Sequence, residues 1–70
     1  MSDAGQDAPG PLVRAVEATL FAADAPMTAK AISDHLGGAE VRGALATLAA
    51  HYAGRGVELV ERGERWHFQT

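Results

Sequence analysis

The sequence predicts a mainly α domain with a small β-hairpin, a winged helix-turn-helix made of three helices and a two-stranded wing. Three observations predict it. Apolar residues recur at helical spacing over residues 12–20 and again over 41–52, with a shorter helical stretch between them. From Val57 onward the period changes from helical to alternating, which is the pattern of half-buried strands. Proline and glycine separate these stretches at Pro26, at Gly37-Gly38, at Gly54 to Gly56 and at Gly63.

Residues 1–10, MSDAGQDAPG, hold small, acidic and turn-forming groups and are expected to be a disordered tail, because they bury too little to offset their ordering entropy. The folded domain is expected over residues 11–70. Pro11 suits the first turn of a helix, where its missing N–H is not needed. Leu12, Val13, Val16 and Leu20 then share a face, giving a first helix over about 11–23. Phe21 lies well off that stripe. Two readings are open: a helix covered on two sides within a small bundle, or an exposed anchor for another chain.

Asp24-Ala25-Pro26 ends the helix, since the residue before a proline is pushed out of the helical region. Met27 is then expected to be extended, as a short bridge to a sheet, and Thr28 to cap a second helix through its hydroxyl. Ala29, Ile32 and Leu36 form the apolar side of that helix, Lys30, Ser33 and Asp34 face water, and Gly37-Gly38 terminates it. The third helix is expected over 39–53. Val41, Leu45, Leu48 and Tyr52 make one narrow stripe, Glu40 sits in the first turn, and Gly54 supplies a left-handed stop. Its opposite face carries Gly43, Ala46, Thr47 and Ala50, which cannot reach a base edge or a phosphate but do let another backbone approach closely.

The hairpin is expected to turn at Arg62-Gly63, with Leu59 opposite Trp66, Val57 opposite Phe68 and Glu58 opposite His67. A register with Leu59 opposite Phe68 keeps the same face inward but sets Arg62 against Arg65, and is therefore disfavoured. Leu59, Trp66 and Phe68 should close a core made by Val16, Leu20, Ile32, Leu36, Val41, Leu45 and Leu48.

Seventy residues, 47% of them hydrophobic, make one small domain that buries about 60% of its extended surface on folding. With no cysteine, neither disulfides nor most structural zinc sites can reinforce it, so a protein partner is the expected reinforcement. No cofactor and no metal are expected. His35, His51 and His67 fall on three different elements without a second ligand at useful spacing, and the glycines are scattered over separate turns rather than gathered in a phosphate loop. Asp34 and His35 are adjacent on a helix and point about 100° apart, the wrong geometry for a base and its orienting carboxylate. No enzyme is expected. No apolar run approaches the roughly 20 residues of a membrane span, and the start lacks a basic-plus-apolar signal, so a cytoplasmic protein is expected.

DNA reading is the alternative that the topology invites, as a small winged-helix transcriptional regulator. The net charge of −3, the single Arg42 on the third helix and the alternating Glu61, Arg62, Glu64 and Arg65 of the wing speak against strong direct binding. A protein-contact surface at Phe21, Gly43, Ala46 and Ala50 is the favoured expectation.

The runs VEATLFAADAPMTAKAISDHLGG and VRGALATLAAHYAGRGVELVERGERWHFQT carry a family likeness. Glu17 to Ala22 with Leu20-Phe21, Pro26-Met27-Thr28, the YAGRGVELV stretch of residues 52–60 and the ending at Trp66, Phe68 and Thr70 resemble the amino-terminal half of segregation and condensation protein B. That family accompanies the kleisin of the bacterial SMC complex. The resemblance implies two winged helices in tandem, of which this would be the first. It implies a homodimer in which amino-terminal domains self-associate and carboxy-terminal ones grip the kleisin subunit, segregation and condensation protein A. A non-enzymatic adaptor in chromosome condensation, segregation and cell division follows, placed at the nucleoid through the complex.

Overall fold

A computed structural model describes residues 10–70 of the chain, so the tail expected over 1–10 lies outside the described residues except for Gly10. Helix α1 spans Pro11–Ala22 with proline at its start, and the Arg14 N–H donates to the Gly10 carbonyl at 3.0 Å. It stops where Ala23 turns extended at ψ 140°, as the approach to Pro26 requires. Strand β1, Met27–Thr28, is the short bridge expected at Met27. Helix α2 covers Ala29–His35, and the Thr28 hydroxyl oxygen accepts the Ala31 N–H at 3.0 Å. Gly37 and Gly38, at φ +75° and +88°, return their N–H groups to the carbonyls of Asp34 and Ser33, closing the helix in a Schellman motif.

Helix α3, Arg42–Tyr52, begins three residues later than the 39–53 span expected. Val41 is its N-cap, and Glu40 lies before the helix with its carboxylate accepting the Arg42 N–H at 3.0 Å. A carboxylate two residues back satisfies an orphan donor that the first helical turn would otherwise expose. Val41 still reaches the core although it precedes the regular turns. Ser33 also departs from expectation. It is half-buried, and its hydroxyl donates to the Ala39 carbonyl at 2.6 Å, which ties α2 to the segment leading into α3.

Strands β2, Glu58–Arg62, and β3, Arg65–Gln69, pair antiparallel, and β1 joins the far side of β3 to give the order β1-β3-β2. The register is Leu59 opposite Phe68, Val60 opposite His67 and Glu61 opposite Trp66, two residues away from the one expected. Two physical reasons explain the shift. Gly56 at φ +84° holds Val57 in a bend, so the strand begins at Glu58 and cannot pair Val57 with Phe68. At the tip, Arg62 does face Arg65, but both are exposed, where a like-charge contact costs only a few tenths of a kcal/mol, and the expected register would have opposed Glu61 to Glu64 instead. The turn is therefore Gly63-Glu64, with both residues at positive φ, +55° and +68°, as a type I′ hairpin turn demands.

The buried core is Val16, Leu20, Ile32, Val41, Ala44, Leu45, Leu48 and Leu59, with Leu36, Trp66 and Phe68 packed partly buried against it. Each fully buried aliphatic side chain contributes about 1.5–3 kcal/mol relative to exposure. Helix α1 packs on α3 and on β3, while α3 also packs on β2. Ala44 extends the stripe through its i, i+4 relation to Leu48 and its i, i−3 relation to Val41.

Candidate protein-contact surface

Phe21 is 57% exposed, which settles the first of its two readings: it is not covered on a second side by the domain. Its ring nonetheless has neighbours. It stacks on Phe68 with centroids 4.2 Å apart and planes 12° from parallel, and Tyr52 meets Phe68 edge-on at 4.9 Å. Tyr52 and Phe21 are themselves edge-on at 6.4 Å. Three elements thus supply one aromatic cluster: the last turn of α1, the last turn of α3 and the end of β3. Such pairs contribute about 0.5–1.5 kcal/mol each beyond their buried area, so Phe21 is held in place with its outer face to solvent.

The cluster has a polar edge. The Tyr52 hydroxyl donates to the Glu17 carboxylate, joining α3 to α1. That bond, reinforced by desolvation and by the negative charge of Glu17, raises the Tyr52 hydroxyl above its ordinary 10.0, with Arg55 opposing. Sequence reading placed Phe68 in the core and Tyr52 on the buried stripe. It missed that both border Phe21 and that Glu17 is bound to Tyr52; the recurrence of Glu17 and Phe21 four residues apart on α1 was the available signal.

Gly43, Ala46 and Ala50 are all exposed on α3, as expected for the face opposite the stripe. A Cβ added at Gly43 would meet nothing within 4 Å, so no packing inside the domain calls for glycine there. Glycine at an exposed helical position costs about 1 kcal/mol relative to alanine. The structure does not bring this face and Phe21 together in one pocket. Ala46 lines a groove with Lys30, Arg42, Glu61, Glu64 and Trp66, whereas Phe21 lines another with Asp24, Ala25, Pro26, His67 and Phe68. Among the described residues, no group of three or more His, Cys, Asp or Glu side chains could hold a metal ion, and no helix is long and apolar enough to cross a membrane.

Three helices, a β1-β3-β2 sheet and a type I′ wing define a winged-helix domain, here with exposed apolar groups on two sides. The chain belongs to the family described as segregation and condensation complex subunit ScpB, whose sequence model matches residues 14–70. The crystal structure of ScpB from Mycobacterium tuberculosis is similar, with a TM-score of 0.73 and 32% sequence identity over 84% of this chain and 39% of that one. The chain therefore spans about 39% of the length of that relative. A search of curated proteins gives no significant match. The fold and the family expected from the residues are both borne out.

Proposed function

We propose that this domain is a non-enzymatic adaptor of the SMC–kleisin complex, working in chromosome condensation and segregation by associating with a second copy of itself. Membership of the ScpB family supports the complex, and the resemblance on which the dimer expectation rests supports the self-association. The kleisin subunit, and SMC through it, are the further partners, and the place of work is the cytoplasm at the nucleoid. In this reading the domain is the first of two tandem winged helices.

The observation that carries the protein-contact reading is Phe21. A phenylalanine held rigid by stacking but left 57% exposed loses little entropy on docking and gains the burial of its outer face. Gly43, Ala46 and Ala50 offer a second surface where a neighbouring backbone can approach.

The test is the sedimentation mass of the wild type beside Phe21→Glu and Ala46→Glu, with circular dichroism as the control for folding. Both substituted positions are exposed, so both variants should stay helical. A charge buried in an interface without a partner costs several kcal/mol, so a variant that hits the contact should become monomeric. A wild type that remains monomeric at high concentration would remove the self-association. Two folded variants that keep the dimeric mass would remove both surfaces as its contact.

A further inference from the structure

We infer that two copies of this chain pair antiparallel through the outer edges of their β2 strands, about a two-fold axis at Val60. The inference rests on the self-association proposed above and specifies its geometry. Among the described residues β2 has β3 on one side and no strand on the other. The free edge has a defined hydrogen-bonding pattern. In a two-residue hairpin with the turn at Gly63-Glu64, the flanking pair Arg62 and Arg65 exchanges hydrogen bonds, and so do the alternate pairs Val60 with His67 and Glu58 with Gln69. Leu59 and Glu61 therefore turn their N–H and C=O groups outward. The partner of Glu61 across the ladder, Trp66, likewise turns its own groups away from β2, toward Met27 of β1.

An unpaired edge is ordinarily blunted by charge, and Glu58, Glu61 and Arg62 would do so against an arbitrary strand. Against a second copy of Glu58–Arg62 the charges of Glu58 and Arg62 become complementary. With the axis at Val60, Leu59 lies opposite Glu61 of the other copy and exchanges both main-chain hydrogen bonds with it, and the symmetric pair does the same. On the outer face Glu58 then opposes Arg62 of the other copy at both ends, with the two Val60 side chains between them. Moving the axis to Glu61 opposes like carboxylates, and moving it to Leu59 leaves Glu58 facing valine. Of these registers only the Val60 one keeps the hydrogen-bond alternation and sets Glu58 against Arg62 at both ends. The contact is isologous and closes on itself, which suits a dimer rather than a filament.

This geometry also separates the two surfaces described above. Ala46 shares its groove with Glu61 of the pairing edge, and Phe21 lies with Asp24 to Pro26 toward the β1 edge.

The experiment is a charge exchange read by sedimentation equilibrium of the whole chain. Arg62→Glu sets carboxylate against carboxylate at both ends of the contact, and Glu58→Arg sets arginine against arginine; each should weaken the dimer about tenfold or more. The double variant, Glu58→Arg with Arg62→Glu, restores opposite charges and should recover most of the wild-type affinity. Misfolding does not mimic this result, because within one copy Arg62 faces Arg65 and its reversal removes a like-charge contact from the hairpin. Glu61→Pro deletes an outward N–H at an edge position that tolerates proline, and should also separate the copies. A dimer indifferent to the single reversals and to Glu61→Pro overturns this pairing while leaving self-association intact. A monomeric wild type overturns self-association itself.

Discussion

Leu45→Ala tests the core on which both surfaces are mounted. Leu45 is 1% exposed, on the buried stripe of α3 between Val41 and Leu48. Removing its branched end costs about 2–5 kcal/mol, depending on how far the surroundings collapse into the gap. The structure narrows that range. Leu45 also borders the groove beside Trp66 and Lys30, side chains at a surface that can lean inward, so a loss of about 2–3 kcal/mol is expected. A domain of 70 residues has about 3–10 kcal/mol of total stability, and 1 kcal/mol moves the melting midpoint by about 4–8 °C at this size. The midpoint by circular dichroism should therefore fall by about 10–20 °C, with a weakened cooperative transition. Thr47→Ala, at an exposed position of the same helix, should stay within about 0.5 kcal/mol and serves as the control. A Leu45→Ala midpoint as close to wild type as that control would refute the assignment of the stripe to the core.

Two further predictions follow from the aromatic cluster and the wing. Tyr52 is the only tyrosine, so the near-ultraviolet phenolate titration reads it directly; the midpoint should lie above 10.0 and should fall toward that value in Glu17→Ala. Because the folded-state value is raised, the stability from this bond is fully present below the unfolded value and is lost as pH rises through the folded one. A midpoint that Glu17→Ala leaves unmoved would show that the bond does not form in solution. At the wing, Glu64 occupies φ +68°, a conformation that costs a non-glycine residue about 1–2 kcal/mol. Glu64→Gly relieves it against about 0.5–1 kcal/mol of added unfolded-state entropy, so a net gain of up to about 1 kcal/mol is expected, and a lowered melting midpoint would contradict the turn assignment.

The helices were legible because each has a chemical start and stop: Pro11 and Pro26 around α1, Thr28 and Gly37-Gly38 around α2, Gly54 after α3. The core followed from periodicity, except Ala44, whose single methyl reads the same buried or exposed. The strand register was not legible, and the reason is specific. Registers that differ by two residues present the same inward face, so hydrophobic alternation cannot separate them, and the choice fell on charge pairs at the tip that are worth little in water. The bend at Gly56-Val57 and the pairing of Met27 with Trp66 decide it; the first is a backbone feature that alternation does not show, and the second is non-local to the hairpin. Of the candidate surface, the exposure of Gly43, Ala46 and Ala50 was readable from the wheel. The neighbours of Phe21 were not, since Tyr52 and Phe68 reach it from distant parts of the chain.

The groove between α3 and the wing is where a winged helix that reads DNA would need its positive potential. Here Lys30 and Arg42 line it together with Glu61 and Glu64, and Lys30 is already paired with Asp34 at 3.0 Å. A phosphate entering that groove meets as many carboxylates as cations, and at physiological salt, with a screening length of about 8 Å, few charges elsewhere on the chain can compensate. The same alternation has the opposite effect on a protein strand that carries its own alternating charges. Attraction to a polyanion depends on net charge, but strand pairing depends on charge order, and an ordered Glu58, Glu61, Arg62 edge that carries an excess of negative charge can still select one partner in one register. That difference favours the protein-joining role over the nucleic-acid-reading one on a fold that can host either.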